Sequence, residues 1–274
     1  MRIFHGSNRV DAIAVDDRGL AYGDGVFETM RAHRGDLPWW DAHWARLARG
    51  GERLALALPD PTQVREQAGQ MLADGGDWIL KLIVTRGGRA RGYAPDNAAQ
   101  PHWLLSRHAV PARRDDHAKA GGLRLHWCST GMATQPALAG IKHCNRLEQV
   151  LARAECMRMG ADEGLMCDTE GRVVAATSAN LFVLQAGQWT TPLLDRCGVA
   201  GTCRAHLLAP LQAREGHLQP RDVELADAVF LCNAVRGILP AASLGTRIWQ
   251  PHPGLARARH LLAELHPGFA PETE

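Results

Sequence analysis

The sequence predicts a mixed α/β protein of two domains, and three observations carry this prediction. Short apolar runs closed by turn residues alternate with longer segments of helical periodicity. The polar stretch PARRDDHAKAGG, residues 111–122, ends in two glycines and has the composition of an interdomain linker. A chain of 274 residues with 46% hydrophobic residues is long enough for two cores. We therefore expect a smaller α/β domain over 1–110 and a larger domain over 123–274.

The first domain is predicted to begin with short strands at 3–5 and 12–15. Leucines at helical spacing then predict a helix over 41–58, and a second helix is expected over 62–73. The segments WILKLIVTRG and HWLLSRHAV are short, apolar and partly β-branched, so both are expected to be strands. The glycine-rich residues between them form a loop.

The second domain is predicted to begin with the strand LRLHWCS. A helix follows Asn145, because Asn145 and Glu148 have the spacing of a capping box before residues of helical periodicity. This places Lys142 on the connection before the helix. The remaining predicted elements are the strands EGLMCD, GRVVAATSANLFVLQ with a turn near Ser178, WTTP and AVFLCN, a helix opening at GVAGTCRAHLL, and a helix near 254–265.

Composition and charge exclude several classes of function. The formal net charge is +2 and the basic residues are scattered, which argues against binding to nucleic acid or to an anionic membrane. No apolar run approaches the roughly 20 residues of a membrane span, and the first residues lack the apolar core of a signal peptide. Seven irregularly spaced cysteines without a CxxC pair fit reduced thiols better than disulfides or a zinc site. We expect a cytoplasmic protein with a small ligand and no metal.

Lysine is scarce in this chain. Of 31 basic residues, only Lys81, Lys119 and Lys142 are lysine. Lysine offers an amine that can lose its proton and attack a carbonyl, whereas the guanidinium of arginine stays charged. Lys142 stands in AGIKHCNRLEQV and is the candidate for such a role. The alternative interpretation of Lys142 is a solvated surface charge.

A turn of small residues provides a second candidate for chemistry. GVAGTCRA places Gly198, Gly201 and Thr202 at the start of a helix, where unpaired amides and the helix dipole favour a phosphate. A similar loop, CNAVRGILP, surrounds Asn233. Both can also be plain turns. A reactive amine together with a phosphate cradle is the combination that pyridoxal phosphate requires.

Several motifs occur in an order that resembles a known family: AVDDRGLAYGDGVFETMR, HWARL, RGGRARGYAP, AGIKHCNRLEQV, GRVVAATSANLF, GVAGTCR and CNAVRGILP. From about residue 3 to 265 the chain resembles the fold-type IV pyridoxal phosphate enzymes, the D-amino-acid-aminotransferase-like class IV aminotransferases. The form GIKHxNRLEQ is similar to that of aminodeoxychorismate lyases. The resemblance implies a cofactor in the interdomain cleft and a homodimer. It also implies conversion of 4-amino-4-deoxychorismate to 4-aminobenzoate and pyruvate in folate biosynthesis.

The resemblance also implies site residues. Lys142 corresponds to the catalytic lysine that forms the Schiff base with the cofactor, and Arg46 of HWARL corresponds to a phosphate-binding arginine. The other implied cofactor-binding residues are Asn180, Val199, Ala200, Gly201, Thr202 and Ala234. The implied substrate-binding residues are Tyr22, Arg31, Arg91 and Tyr93, which would hold the two carboxylates. A solvated loop arginine is the alternative for Arg91.

One position departs from the family pattern. Relatives carry a glutamate five residues before the asparagine of SANLF, and this carboxylate pairs with the pyridine nitrogen of the cofactor; here the position is Ala175. A carboxylate beside a basic nitrogen raises the pKa of that nitrogen, so its loss weakens electron withdrawal by the ring. Three interpretations therefore remain: the lyase, a branched-chain or D-amino-acid-type aminotransferase, and a cofactor-binding protein with weak or no activity.

Overall fold

The computed structural model describes residues 1–88, 92–96, 98–111 and 121–270. The chain divides into two compact units: unit 1 contains Met1–Val110 and Ile141–Asn145, and unit 2 contains Pro111–Gly140 and Arg146–Glu274. Our predicted division differs at one place, because we assigned all of 123–274, including Lys142, to the C-terminal domain. Most of the predicted linker, 112–120, lies outside the described residues.

Unit 1 contains a five-stranded antiparallel sheet in the order β2-β1-β5-β4-β3. Its elements are β1 Arg2–His5, β2 Asn8–Val10, α1 Arg18–Tyr22, β3 Gly25–Ala32, α2 Trp40–Leu54, α3 Pro61–Met71, β4 Trp78–Thr85 and β5 His102–Ala109. The predictions of β1, β4, β5 and the two longer helices are confirmed. The strand predicted at 12–15 is wrong, and β2, α1 and β3 were not predicted.

The helices of unit 1 begin and end for local reasons. Asp60 caps α3 by accepting a hydrogen bond from the Thr62 amide at 2.8 Å, and Pro61 occupies the first helical position, where its missing N–H costs nothing. Helix α2 ends four residues before the predicted 58, because Ala55 adopts a left-handed conformation with φ of 48°.

The segment 141–145 extends the sheet of unit 1 along β3. The Phe27 amide donates to the Lys142 carbonyl and the Cys144 amide donates to the Gly25 carbonyl, both at 2.9 Å. Val26 and His143 form the antiparallel bridge between these bonds. This pairing between residues far apart in sequence is the reason that Lys142 belongs to unit 1.

The predicted capping box before the next helix is wrong. The helix α4 covers Leu147–Arg158, and its N-cap, Arg146, makes no capping hydrogen bond from its side chain. Asn145 instead donates from Nδ2 to the Gly23 carbonyl at 3.1 Å, and Glu148 accepts from the Ala133 amide at 2.8 Å. Both side chains therefore form hydrogen bonds with residues distant in the sequence and not with the end of the helix.

Unit 2 contains a nine-stranded mixed sheet in the order β11-β10-β9-β12-β13-β6-β7-β8, with β14 paired to β13. Strands β10–β11, β13–β6 and β6–β7 pair in parallel. The strands are β6 Leu123–Trp127, β7 Glu163–Cys167, β8 Val173–Ala176, β9 Asn180–Gln185, β10 Gln188–Pro192, β11 Arg214–Gly216, β12 Ala228–Asn233, β13 Gly237–Leu244 and β14 Arg247–Ile248. The helices after α4 are α5 Thr202–Leu208, α6 Pro220–Glu224 and α7 Pro253–Leu265.

Most of the predicted elements of unit 2 are confirmed, including the turn near Ser178 and the helix that opens at GVAGTCRAHLL. β11, β13, β14 and α6 were not predicted. The seven cysteines are all free thiols. Within the described ranges, no helix combines the length and the apolar character that crossing a bilayer requires.

Candidate active site

A buried ion pair joins β3 to α2 in unit 1. Arg46 donates from Nε to Glu28 Oε1 at 2.7 Å and from a terminal nitrogen to Oε2 at 2.5 Å. His43 Nδ1 lies 2.6 Å from the same Oε2. Glu28, His43 and Arg46 are all at least 95% buried. Helical spacing of three residues places His43 and Arg46 on one face of α2, toward the inward face of β3.

The charges of this cluster are fixed by their surroundings. Burial alone would raise the pKa of Glu28, but the charge of Arg46 and the hydrogen bonds from Arg46 and His43 lower this pKa to about 2. Burial lowers the pKa of His43, so its ring is neutral and its Nδ1–H donates to Glu28. The carboxylate therefore accepts from both side chains and holds the guanidinium plane in one orientation.

Lys142 is half-buried at the edge of β3, where it pairs with Phe27, on the face of the strand opposite to Glu28. Its Nζ is 4.3 Å from the ring centre of Phe27, in the range of a cation–π contact. The charge of Lys142 also contributes to the lowered pKa of His43, so the amine acts electrostatically on the cluster. These contacts do not fit the solvated surface charge that we considered as the alternative.

The turn at 198–202 lies in unit 2 and is tightly braced. The Gly140 amide donates to the Gly198 carbonyl and the Ala200 amide to the Gly140 carbonyl, both at 3.0 Å. Asn180 Nδ2 donates to the Val199 carbonyl at 2.9 Å. A Cβ on Gly201 would lie 1.9 Å from Asn180 Oδ1, so only glycine permits this approach. Asn180 therefore braces the turn through a hydrogen bond and a close contact.

One polar group of this turn lacks a protein partner. Thr202 is 4% exposed, and its buried Oγ1 has no hydrogen-bond partner among the described residues. A buried hydroxyl without a partner costs free energy, so a native structure that keeps one has a ligand or water to satisfy it. The amide of Ala200, in contrast, is already donated within the protein. Thr202 is the side chain of this turn best suited to an anionic ligand.

Two tyrosines predicted to bind substrate come together in unit 1. The rings of Tyr22 and Tyr93 are 5.6 Å apart, and the Arg18 guanidinium lies 4.9 Å from the centre of the Tyr22 ring. Arg18 is buried and donates to the carbonyls of Gly92 at 2.8 Å and Tyr93 at 3.2 Å. Sequence analysis missed this anchoring role of Arg18; its signal was a charged residue within a helical turn next to the first tyrosine.

The remaining predicted site residues, Arg31, Arg91 and Ala234, belong to three different segments of the chain. Arg31 lies on β3, on the same face as Phe27, and Arg91 lies outside the described residues. Ala234 is buried in the loop after β12, where Asn233 Oδ1 accepts from the amides of Val235 and Arg236. This loop is therefore an ordered turn like that at 198–202.

Ala175 lies in an apolar environment on β8. It is 5% exposed and pairs with Met166 across β7 and β8. Its cluster of buried neighbours consists of Met132, Ala152, Met166, Val174 and Cys197. Burial raises the pKa of Cys197 to about 11, so this thiol stays neutral. No member of the cluster supplies a carboxylate in place of the expected glutamate.

Glu28→Gln should destabilise unit 1, because it leaves the Arg46 charge buried without its carboxylate. We expect a loss of about 3–5 kcal/mol in the free energy of unfolding at pH 7, measured by urea denaturation. Because the pKa of Glu28 is lowered from 4.5 to about 2, the ionised carboxylate contributes its full stabilisation above pH 4.5. This contribution is lost as the pH falls from 4.5 toward 2. The wild type should therefore lose stability more steeply than the variant over this interval.

Glu52→Gln is the matched control, because Glu52 is an exposed residue of the same helix. It should leave the free energy of unfolding nearly unchanged. Equal stability of wild type and Glu28→Gln at pH 7 would contradict the assignment of a strong buried ion pair.

Comparisons with known proteins identify the family of the chain. The family model for amino-transferase class IV matches residues 25–244. An aminodeoxychorismate lyase from Vibrio harveyi is 32% identical over 237 residues, which cover 85% of this chain and 87% of the relative. The crystal structure of 4-amino-4-deoxychorismate lyase from Pseudomonas aeruginosa is 41% identical to this chain, with a TM-score of 0.87. The superposition covers 96% of this chain and 98% of the Pseudomonas chain.

A transaminase also shares the architecture. The structure of a fold IV transaminase from Curtobacterium pusillum is 25% identical to this chain, with a TM-score of 0.78. The match covers 95% of this chain and 92% of the transaminase chain. The family model covers far more than half of the 274 residues. The chain belongs to the class IV aminotransferase family and has the fold-type IV architecture.

Proposed function

We propose that this protein is a pyridoxal phosphate-dependent lyase that converts 4-amino-4-deoxychorismate to 4-aminobenzoate and pyruvate, a step of folate biosynthesis. The observation that carries the proposal is the placement of Lys142, half-buried over Phe27 and close enough to the buried His43 for its charge to lower the pKa of that ring. The lyases from Vibrio harveyi and Pseudomonas aeruginosa, which are 32% and 41% identical, support it.

The residues present fit the cofactor. When bound, pyridoxal phosphate supplies an aldehyde that takes up an amine and a ring that withdraws electrons. Lys142 would hold the aldehyde end. Thr202 would satisfy its buried hydroxyl on the phosphate, together with the turn from Val199 to Gly201 and the second loop at Ala234. Arg46, with its guanidinium plane fixed by Glu28, would supply the cation.

In the reaction, Lys142 is the general base. A half-buried amine next to the bound substrate takes the proton from the substrate ring. The enolpyruvyl group then leaves and becomes pyruvate after it gains a proton from Lys142 or water. Tyr22 and Tyr93, which Arg18 holds together, and Arg31 and Arg91 would bind the substrate carboxylates and fix the ring against Lys142.

We further propose a cytoplasmic homodimer. Helix α4 exposes Leu147, Val150 and Leu151, which are 76%, 58% and 59% accessible and share one face. Exposed aliphatic side chains at this spacing are typical of a protein contact surface. The free thiols fit a reducing compartment.

Purified protein supplied with pyridoxal phosphate and 4-amino-4-deoxychorismate should form 4-aminobenzoate and pyruvate. Lys142→Ala should abolish both products and the visible absorbance of lysine-bound cofactor, because the amine is lost. Lys119→Ala, in the predicted linker, is the matched control and should keep both. Transfer of an amino group between an amino acid and a keto acid, without 4-aminobenzoate, would identify an aminotransferase instead.

Thr202→Val should weaken cofactor binding without weakening the cofactor-free fold, because the hydroxyl has no described protein partner to lose. We expect the dissociation constant of pyridoxal phosphate to rise about ten-fold, the effect of one hydrogen bond to a charged group. Spectroscopic titration measures this constant, and urea denaturation measures the stability of the apoprotein.

The matched control is Thr191→Val. Thr191 is fully buried, and its hydroxyl donates to the Leu181 carbonyl at 2.8 Å and accepts from Arg204 at 3.1 Å. This variant should lower the stability of the apoprotein by about 1–3 kcal/mol. If Thr202→Val loses as much stability while cofactor affinity stays unchanged, the assignment of Thr202 to the phosphate is wrong.

Ala175→Glu should destabilise the cofactor-free protein by about 1–3 kcal/mol, because it places a carboxyl group in an apolar cluster. Added pyridoxal phosphate should raise the melting temperature of this variant more than that of Ala175→Gln, since only the carboxylate can pair with a pyridine nitrogen. Differential scanning calorimetry of both variants provides the comparison. An equal response to the cofactor would show that residue 175 does not face the pyridine nitrogen.

A further inference from the structure

Unit 2 contains a buried carboxylate, Glu163, to which the proposed reaction gives no role. Glu163 lies on β7 and is 4% exposed. Its Oε2 accepts from the Ser178 hydroxyl at 2.6 Å, and its Oε1 accepts from the Thr177 hydroxyl and from the Gly164 amide at 3.0 Å. Among the described residues, Glu163 forms no ion pair. Because a carboxylate buried without a cation costs free energy, stability alone does not explain Glu163.

The hydroxyl partners of Glu163 belong to the turn at 177–179, which joins β8 to β9 and which we call the β8–β9 turn. The Thr177 amide donates to the Gly164 carbonyl at 3.0 Å, so β7 also holds the backbone of this turn. Ser178 is exposed, and the apolar core therefore does not fix its side chain. The carboxylate of Glu163 is the group that holds both hydroxyls of the turn.

The β8–β9 turn is connected to both loops that we propose to hold the phosphate. Asn180 follows it directly and donates from Nδ2 to the Val199 carbonyl at 2.9 Å. Asn233 donates from Nδ2 to the Ser178 carbonyl at 3.2 Å, and its Oδ1 orders the loop that contains Ala234. A displacement of the β8–β9 turn would therefore reach both loops through hydrogen bonds.

We propose that Glu163 is a positioning residue for the phosphate of the cofactor. It acts through Thr177 and Ser178 on the β8–β9 turn, and the turn sets the spacing between the two phosphate loops. This inference rests on the proposed function, specifically on the cofactor that the proposed reaction requires. A carboxylate suits the role because it only accepts hydrogen bonds and so fixes the direction of each donor around it. Loops held at one spacing lose less conformational freedom when the phosphate binds.

The test compares pyridoxal phosphate with pyridoxal, which lacks the phosphate, on the cofactor-free protein. Absorbance titration measures both dissociation constants, and their ratio gives the preference for the phosphate. Glu163→Leu keeps about the same side-chain volume and removes both acceptor oxygens. We expect it to raise the dissociation constant of pyridoxal phosphate about ten-fold and that of pyridoxal less than about two-fold, because only the phosphate depends on both loops.

Glu163→Gln is the conservative variant. Its amide oxygen can still accept from Thr177, and the Ser178 hydroxyl can rotate to accept from its nitrogen. We therefore expect Glu163→Gln to keep most of the preference for the phosphate that Glu163→Leu loses.

Glu155→Leu is the matched control for loss of a carboxylate that holds hydrogen bonds in the same unit. Glu155 lies on α4 with a side chain 12% exposed, and it accepts from the Ser129 amide at 2.9 Å and from the Ser129 hydroxyl at 2.8 Å. Glu155→Leu should lower the stability of the cofactor-free protein in urea and leave the ratio of the two dissociation constants unchanged.

Ser178→Ala tests the same connection without changing a buried residue. We expect it to raise the dissociation constant of pyridoxal phosphate about three-fold, the effect of one modest hydrogen bond, and to leave that of pyridoxal unchanged. Combined with Glu163→Leu it should cause no further loss, since both changes break the same link. This variant carries the test if Glu163→Leu does not fold.

The inference is overturned if Glu163→Leu, or Ser178→Ala in its place, keeps the wild-type ratio or weakens both compounds equally. It is also overturned if Glu163→Gln loses as much preference as Glu163→Leu, because charge and not orientation would then explain the loss. The proposed function is decided separately. Expected binding ratios in a protein that forms no 4-aminobenzoate keep the role of Glu163 and reject the lyase, whereas a lyase whose ratio ignores Glu163→Leu rejects the role alone.

Discussion

The pairing of 141–145 with β3 is the constraint on which the arrangement of unit 1 depends. Two backbone hydrogen bonds fix Lys142 beside Phe27, so the position of the amine does not rely on the long, flexible lysine side chain alone. Because side chains alternate along a strand, β3 directs Phe27 toward Lys142 and Glu28 toward Arg46 and His43. One strand therefore positions both the amine and the arginine that we propose to hold the cofactor. A shift of one residue in its register would exchange the two faces.

The buried Glu28–Arg46 pair is better explained by orientation than by stability. Removing two charges from water costs several kcal/mol for each ion, and apolar residues of similar volume often stabilise a core as well. What apolar residues cannot do is fix the plane of a guanidinium through two parallel hydrogen bonds. The neutral His43 satisfies a further lone pair of the carboxylate without adding a third charge. The cluster thus holds the guanidinium of Arg46, which we propose as the cation of the cofactor site, in one defined orientation.

The local sequence pattern predicted most of the helices and strands. Pairing between residues distant in the sequence explains the features that this pattern missed. The run WILKLIVT is apolar enough to identify β4, whereas β3 carries Glu28 on its core face and glycine at its start, which breaks the expected alternation. Lys142 was assigned to the wrong unit because its partner, Phe27, is more than one hundred residues away. Asn145 and Glu148 have the sequence spacing of a capping box, but their side chains form hydrogen bonds with the backbone of Gly23 and Ala133. The roles of the site residues that the family resemblance implies remain predictions, because neither the local pattern nor the backbone pairing tests them.

The surroundings of Ala175 bear on the choice between lyase and aminotransferase. The cluster of buried neighbours around Ala175 is apolar. On our hypothesis that residue 175 faces the pyridine nitrogen, we expect weaker electron withdrawal by the ring than a glutamate at this position would give. Transamination depends on that withdrawal, because its carbanion gains no other stabilisation. The lyase reaction forms an aromatic ring as pyruvate leaves, and this gain lowers its demand on the cofactor. On this hypothesis an apolar residue at 175 fits the proposed lyase reaction better than transamination.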